Sequence, residues 1–172
     1  MSFESFGGGV AMTYALAHPE RTAALVVINS FPWFGPQIRL RLAVGAMRVF
    51  PWNLMPLVRR ITAFRMHSSH TDDEEIQRFL DVTRETTREG YLNRLRILRD
   101  YDLRERLADI HVPTLFLAAA EDHLVPSVEQ AEWMAVRVPD ARVRVLEGHG
   151  HICLIAPEVD LERILAEELP GV

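Results

Sequence analysis

The chain has 172 residues, of which 48% are hydrophobic and 25% are charged, and these proportions fit one globular domain and exclude a disordered chain. Its formal net charge of −5 argues against a nucleic-acid-binding protein, because such a protein needs a basic surface to face phosphates. The single cysteine, Cys153, excludes an internal disulfide, and the sequence shows neither a signal peptide nor an apolar run of about 20 residues, so we expect a cytoplasmic protein without a membrane span.

The beginning of the chain predicts a helix over 8–17, which ends near Pro19, and then a strand over 23–29. The strand prediction rests on a short, uninterrupted apolar run rich in valine and isoleucine, a pattern typical of strands buried on both faces. The next segment, 31–107, is divided by prolines into pieces whose apolar residues recur at helical spacing. Thr71 and the acidic residues that follow it predict the start of one helix within this segment. We therefore expect a helical insertion of three to five helices over one end of the sheet.

Two further strands are predicted over 114–119 and 141–147, and a helix follows each of them. Ser127 and Gln130 have the spacing of a capping box at the start of the first of these helices, and Pro157 is predicted as the first residue of the second. Strands that alternate with helices at this spacing predict a parallel sheet with crossover helices, which is an α/β fold.

Three polar motifs coincide with the ends of these elements. Ser5 is followed by glycines at the second and third positions after it, and small neighbours suit a serine held on a sharp turn between a strand and a helix. Asp122 follows the second predicted strand, and His151 lies in the glycine-containing loop that follows the third predicted strand. Ligands bind beyond the carboxyl ends of parallel strands, so all three positions can reach one site. Each motif alone also fits an ordinary glycine-rich turn, a turn hydrogen bond or a bystander histidine, and His149 competes with His151 within its loop.

The chain order serine, acid, histidine resembles that of the cap-bearing α/β-hydrolases. The similarity lies in the elbow and following strand, the acid-bearing strand, the histidine loop and the last helix, at residues 5–8, 17–29, 112–126, 148–151 and 156–158. It implies a hydrolase core made of 1–30, with the nucleophile elbow, helix and strand, and of 108–172, with the acid and histidine loops. The segment 31–107 would then be the helical cap.

The same resemblance implies a role for each residue of the three motifs. Ser5 would be the nucleophile, Asp122 the orienting acid and His151 the general base, and the backbone amide of Phe6 would lie in the oxyanion hole. We therefore expect a serine hydrolase that acts on a small, hydrophobic carboxylic ester, thioester or amide through an acyl-enzyme, with no cofactor and no metal. A serine at position 5 disfavours a haloalkane dehalogenase-like enzyme, which needs a carboxylate nucleophile, whereas lyases and cofactor-free oxygenases with the same triad stay open.

The sequence departs from the family pattern in two ways. The elbow of the family is Gly-x-Ser-x-Gly, but Phe3 occupies the first glycine position here. The strands that precede the elbow in the family, including its own strand, and the loop that supplies a second oxyanion amide are not expected within this chain. An alternative is therefore an N-terminally truncated, catalytically impaired hydrolase fragment. Its strand 23–29 would be an exposed apolar edge and would favour a homodimer.

Several other side chains in the sequence have both a functional and a structural interpretation. Trp33, Phe34 and Trp52 are candidates for an apolar substrate pocket, or they form the core of the insertion. The arginines of the insertion could bind an anionic substrate or a membrane surface, or lie on solvated helix faces. His67 and His70 lack a third ligand nearby, so no metal site is predicted.

Overall fold

The structure is a computed structural model, and it describes residues 2–35, 37–66, 73–154 and 156–171. Its sheet has four strands, all parallel and arranged in the order β1-β2-β3-β4. The strands are β1 Ser2–Glu4, β2 Leu25–Ile28, β3 Thr114–Ala119 and β4 Ala141–Leu146. The predicted α/β fold with a parallel sheet is therefore confirmed, and the strand predicted over 114–119 matches β3 at both ends.

Seven α-helices accompany the sheet within the described residues. They are α1 Phe6–Ala17, α2 Gln37–Val49, α3 Met55–Met66, α4 Asp73–Arg84, α5 Arg88–Asp100, α6 Ser127–Ala135 and α7 Leu161–Glu168. Helices α2 to α5 lie between β2 and β3 in the chain, in the segment where the sequence predicts a helical insertion. The helix start predicted at Thr71 lies outside the described residues. In the part of the chain that the structure describes, no helix has both the length and the apolar character needed to cross a membrane.

The two ends of the helical segment lie side by side. The amide of Leu103 donates to the carbonyl of Pro32 at 2.8 Å, and Trp33 forms an antiparallel bridge with Asp102. The hydroxyl of Tyr101 also donates to the carbonyl of Phe31 at 3.0 Å. The chain therefore leaves the sheet after β2 and returns to it before β3 through one narrow connection.

The structure corrects the sequence prediction at the start of the chain. The strand that leads into Ser5 was expected to be absent, but β1 runs directly into that residue. Strand β1 pairs with β2 at 26–28, so the prediction that 23–29 forms an exposed edge is wrong. The sequence predicted a homodimer through the edge of this strand. At residues 26–28, however, the main chain already pairs with β1 on one side and with β3 on the other. The side chain of Phe3 lies outside the described part of the structure.

Two predicted helix starts also differ from the structure. The capping box of Ser127 with Gln130 is wrong, because α6 begins at Ser127 with Pro126 as its N-cap residue, and the Ser127 hydroxyl donates to the carboxylate of Asp122 instead of accepting from a helix amide. Helix α7 begins four residues after Pro157, because Asp160 caps it by accepting a 2.9 Å hydrogen bond from the amide of Arg163. In both cases the position of a carboxylate decides the outcome.

Three hydrophobic clusters cover the sheet and join it to the insertion. One lies between the sheet and helices α1 and α6, and a second lies between the sheet and α7. The third joins the start of α1 and the loop after β3 to helices α2 and α5. Because strands β2 and β3 carry helices on both faces, all of their residues are buried, which explains their continuous apolar sequence.

Candidate active site

Ser5 lies on a strained turn between β1 and α1. Its backbone has φ +56° and ψ −124°, a conformation that non-glycine residues rarely adopt. The Ser5 amide donates to the carbonyl of Ile28 at 2.8 Å, and the Ser5 carbonyl accepts from the amide of Gly8 at 3.0 Å and from the hydroxyl of Ser30 at 2.7 Å. These bonds hold the turn in its strained conformation, which resembles the sharp turn of a nucleophile elbow.

Gly8 lets α1 approach the sheet closely. A Cβ atom at this position would lie 2.6 Å from both Cβ and Oγ of Ser30 and 3.1 Å from Cγ1 of Val27. A residue with a side chain here would push the helix away from β2. The close packing of α1 against β2 therefore requires a glycine at this position.

His151 bridges the other two predicted residues. Its Nε2 lies 2.8 Å from Oγ of Ser5, and its Nδ1 lies 2.6 Å from Oδ2 of Asp122. The side chains of His151 and Asp122 are both 0% exposed, so water does not compete for the bond between them. Ser5 lies 146 positions and Asp122 lies 29 positions before His151 in the sequence, and the structure brings all three residues together. His149 is not at this junction; its carbonyl accepts a 2.9 Å hydrogen bond from the amide of Glu121.

The loop after β3 fixes the carboxylate of Asp122. Its Oδ1 accepts two backbone hydrogen bonds of 2.9 Å, from the amides of Leu124 and Val125, and its Oδ2 accepts from the hydroxyl of Ser127 as well as facing His151. Desolvation acts to raise the pKa of Asp122, but the hydrogen bonds from His151, Ser127 and Val125 and the electrostatic attraction of His151 outweigh it and hold the pKa below its usual value of 3.8. The carboxylate is therefore ionised at neutral pH and aimed at Nδ1.

A second carboxyl group, that of Glu4, also contacts the loop that carries His151. Oε1 of Glu4 accepts a 3.1 Å hydrogen bond from the amide of Cys153 and lies 3.6 Å from its Sγ. Burial raises the pKa of Glu4, and the bond to Cys153 and the nearby charge of His151 offset this only in part. Burial and the Glu4 charge raise the pKa of Cys153 to about 12, so its thiol stays protonated and is not a nucleophile at neutral pH.

Phe6 places its amide in the first turn of α1, next to Ser5. The first amides of a helix have no partner within the helix and point along the positive end of its dipole. Such an amide can donate to an oxygen that becomes negatively charged beside the serine. The ring of Phe6 packs against the third hydrophobic cluster, and the guanidinium of Arg94 lies 5.0 Å from its centre.

The three aromatic residues predicted to bind substrate, Trp33, Phe34 and Trp52, contact different kinds of side chain. The ring of Phe34 packs against Phe31, with 4.8 Å between centroids. Trp33 and Trp52 stack against arginines: the guanidinium of Arg104 lies 4.3 Å from the centre of Trp33, and that of Arg88 lies 5.3 Å from the centre of Trp52. A role of the three aromatic residues in substrate binding stays a prediction.

An apolar groove of about 410 Å³ lies between α1 and α5 and is lined by other residues. They come from one face of α1, from Phe31 and from the end of α5, and comprise Phe6, Gly9, Val10, Thr13, Tyr14, Ala17, His18, Phe31, Ile97, Leu98 and Tyr101. Within the described residues, no group of three or more His, Cys, Asp or Glu side chains is arranged to hold a metal ion.

Sequence reasoning missed three polar residues that support this site. Ser30 holds the carbonyl of Ser5, Ser127 holds the carboxylate of Asp122, and Asn29 donates to the carbonyl of His151 at 2.7 Å. A signal for two of them was present, because Asn29 and Ser30 are the first two residues after a buried strand, and Asp122 also lies in the loop after such a strand. Ser127 was noticed but was interpreted as a helix cap.

Comparison with known proteins gives consistent findings. A model of the family described as serine aminopeptidase, S33, matches residues 3–158. An Azorhizobium caulinodans protein named "Putative carbamate hydrolase RutD" is 32% identical over 176 residues, which cover 94% of this chain and 62% of that protein. A "Pimeloyl-[acyl-carrier protein] methyl ester esterase" of Aromatoleum aromaticum is 27% identical over 188 residues, which cover 97% of this chain and 72% of that protein.

A solved structure agrees with these relatives. The crystal structure of a hydrolase from Pseudomonas aeruginosa PA01 matches with a TM-score of 0.83 at 25% identity, and the match covers 98% of this chain and 63% of that one. The chain therefore spans about three fifths of the length of this hydrolase and of the first relative.

Proposed function

Because the chain belongs to the serine aminopeptidase S33 family of α/β-hydrolases, we propose that it is a serine hydrolase in which Ser5, His151 and Asp122 form the catalytic triad. The observation that carries the proposal is the position of the imidazole, with 2.8 Å from Nε2 to Ser5 Oγ and 2.6 Å from Nδ1 to Asp122 Oδ2. Both distances are those of hydrogen bonds, and the order of the three groups is that of a nucleophile, a base and an orienting acid.

In the first half of the reaction, Oγ of Ser5 attacks the carbonyl carbon of the substrate while Nε2 of His151 takes the hydroxyl proton. The carbonyl oxygen becomes negatively charged, and the amide of Phe6 donates a hydrogen bond to it. The bond to the leaving group then breaks, and the proton on Nε2 passes to that group. Asp122 keeps the proton of His151 on Nδ1 and stabilises the imidazolium, without taking the proton itself.

In the second half, a water molecule hydrolyses the acyl-enzyme. His151 removes a proton from the water, whose oxygen attacks the carbonyl carbon bound to Ser5. The tetrahedral species collapses, the carbon–Oγ bond breaks, and the proton on Nε2 returns to Ser5. The products are a carboxylic acid and the free enzyme.

We further propose that the substrate is a small ester with an apolar acyl or alcohol part, or the corresponding thioester or amide. Two observations support this class. The third hydrophobic cluster contains Phe6, which follows Ser5 in the chain, and Val125, whose amide donates to Asp122, so apolar side chains adjoin the proposed triad. The two relatives are named for a carbamate and a methyl ester, and both compounds have a carbonyl carbon open to attack by a serine hydroxyl.

The direct test is labelling of the folded protein with a fluorophosphonate probe, followed by mass spectrometry of the labelled peptide. We expect the label on Ser5, and we expect hydrolysis of p-nitrophenyl acetate and butyrate. Ser5→Ala should abolish both, and His151→Ala should lower the labelling rate by about 10³-fold or more.

His18→Ala provides the matched control for His151→Ala. This histidine caps the far end of α1, and its side chain is 45% exposed, so its removal should leave labelling unchanged. Labelling that is equal in wild type and in Ser5→Ala, or a loss of activity in His18→Ala equal to that in His151→Ala, would contradict the proposed function.

A further inference from the structure

Asn29 is a buried polar residue that the proposed mechanism does not use. It follows β2 directly, is 1% exposed, and has φ +47°, in the left-handed region. A non-glycine residue in that region carries strain, and asparagine tolerates it better than most other residues. Burial of an amide side chain is unfavourable unless its polar atoms find partners. Both the backbone strain and the burial of the carboxamide therefore disfavour folding unless other contacts compensate for them.

Each polar atom of the Asn29 carboxamide is bonded to an element of the active site. Its Oδ1 accepts a 2.7 Å hydrogen bond from the amide of Ala119, the last residue of β3. Its Nδ2 donates at 2.7 Å to the carbonyl of His151 and lies 3.4 Å from Sγ of Cys153. The orientation of the carboxamide follows from these partners, because an amide N–H needs an oxygen and a carbonyl needs a donor.

These bonds link the two loops that carry Asp122 and His151. Asp122 lies three residues after Ala119, so the oxygen of the carboxamide is bonded at the base of the acid loop and its nitrogen is bonded to the histidine itself. The two loops are also joined by backbone bonds, from the amide of Ala120 to Leu146 and from the amide of Glu121 to His149. Asn29 extends this series of bonds to the main chain of His151.

We propose that Asn29 is a positioning residue, whose carboxamide sets the distance between the imidazole of His151 and the carboxylate of Asp122. This inference rests on the proposed function for its effect on the reaction, but the geometry it concerns is measurable without turnover. Asp122 and Glu4 place carboxyl groups near His151. Asn29 adds no charge to them, so its effect is one of geometry.

Two variants separate the bonds of the carboxamide. Asn29→Asp keeps the shape, the tolerance of a positive φ and the acceptor for Ala119, but it replaces the donor to His151 with an oxygen. It also introduces an ionisable carboxyl group, so the uncharged Asn29→Gly decides whether geometry alone is responsible. Asn29→Gly removes both bonds and relieves the backbone strain. The matched control is Thr114→Val at the opposite end of the sheet, where a hydroxyl on a residue 1% exposed donates to the carbonyl of Val112 at 2.9 Å.

The primary measurement is the proton resonance of His151 Nδ1–H, which a short hydrogen bond to a carboxylate moves far downfield of the amides. It is assigned with ¹⁵N-labelled histidine and by its loss in His151→Gln. We expect it in the wild type, in Ser5→Ala and in Thr114→Val, and we expect it to move upfield or broaden beyond detection in both Asn29 variants. An unchanged resonance in the Asn29 variants would overturn the inference, even if their stability fell as much as that of Thr114→Val.

The second measurement is hydrolysis of p-nitrophenyl butyrate. We expect kcat to fall by about 10²-fold in both Asn29 variants while KM changes less than about threefold, because a small displacement of a catalytic group affects the chemical step and not binding. Equal kcat in wild type and Asn29→Gly would overturn the inference. Absence of Ser5-dependent turnover in the wild type, together with the expected change in the resonance, would contradict the proposed function and support the positioning role.

Discussion

The hydroxyl of Ser30 donates a 2.7 Å hydrogen bond to the main-chain carbonyl of Ser5. Ser30 belongs to the loop after β2 and Ser5 to the turn after β1, so the bond fastens the strained residue to the neighbouring strand. The strain at Ser5 persists only if the surrounding structure holds it. Ser30 is 3% exposed, which means that water cannot replace the bond when it is lost.

Ser30→Ala should therefore loosen the turn. We expect the free energy of unfolding to fall by about 1 kcal/mol and the rate of fluorophosphonate labelling of Ser5 to fall as well. The control is Thr22→Val, which removes a hydroxyl bonded to the carbonyl of His18 at 3.0 Å, before β2 begins. A loss of stability without any loss of labelling in Ser30→Ala would show that the bond does not hold Ser5 in its reactive position.

Gly8→Ala tests the close approach of α1 to β2. The added methyl would lie 2.6 Å from the side chain of Ser30, so the helix or the strand must shift, and such overpacking destabilises by about 1–3 kcal/mol. We expect a lower midpoint of urea unfolding and slower labelling of Ser5. Gly45→Ala in α2 is the matched control, because a Cβ atom there meets nothing within 4 Å and alanine favours the helix. If Gly8→Ala were as stable as Gly45→Ala, the packing argument for the elbow would be wrong.

The general plan of this fold could be predicted from the sequence because two simple signals determine it. Strands buried on both faces need continuous apolar runs, and β3 is such a run from Thr114 to Ala119. Parallel strands bring their carboxyl ends to one edge, so Asp122 and His151 had to lie near each other once the strands were identified. The short strand β1 was missed because its three residues give too little of a periodic pattern.

The supporting hydrogen bonds could not be predicted, because they depend on which acceptor lies nearest. Ser127 has the sequence of a helix cap, yet it is the first residue inside α6, and its hydroxyl donates to the ionised carboxylate of Asp122. Asn29 and Ser30 follow β2, but the partners of their side chains belong to distant segments. Pattern reasoning finds the edge of the sheet where chemistry occurs, and only packing decides which polar groups meet there.

Asp122→Asn should lower activity and alter the dependence of stability on pH. The amide reverses the preferred tautomer of His151, and we expect kcat to fall by about 10⁴-fold. The pKa of Asp122 is below 3.8 in the folded protein, so the ionised carboxylate contributes stability that is complete above pH 3.8 and is lost as the pH falls through the folded pKa. The stability difference between wild type and Asp122→Asn should therefore shrink in acid, below about pH 3.8, as measured by urea unfolding at several pH values. A difference that does not change with pH would contradict the lowered pKa.

Glu4→Gln should have the opposite dependence on pH. Burial raises the pKa of Glu4 above 4.5 in the folded protein, so ionisation disfavours folding, and stability is lost as the pH rises from 4.5 through the folded pKa. Glutamine keeps an acceptor for the amide of Cys153 but does not ionise. We expect the variant to gain stability over the wild type between pH 4.5 and 8 and to match it more closely in acid. Glu132→Gln, at an exposed position of α6, should show no such change. A variant less stable than the wild type at pH 8 would show that the ionised carboxylate stabilises the histidine loop.

Trp52 offers a test of whether the aromatic residues of the insertion bind substrate or hold its helices together. The guanidinium of Arg88 lies over the Trp52 ring and donates to three carbonyls at the end of α2, with distances of 3.0 Å to Met47, 2.9 Å to Arg48 and 2.8 Å to Phe50. This arrangement fastens α5 to α2, and the ring covers the guanidinium on one side.

We therefore expect Trp52→Leu to lower the midpoint of thermal unfolding and to leave KM for p-nitrophenyl butyrate within about twofold of the wild type, because a group that makes no contact with substrate contributes nothing to its binding. Arg88→Met, which removes the three hydrogen bonds as well as the contact with the ring, should lower stability further. The pair measured together should lose less than the sum of the single losses, since each variant removes the same contact. A rise of tenfold or more in KM for Trp52→Leu alone, with Arg88→Met unchanged, would instead place this ring against the substrate, which is one of the two interpretations that the sequence allows.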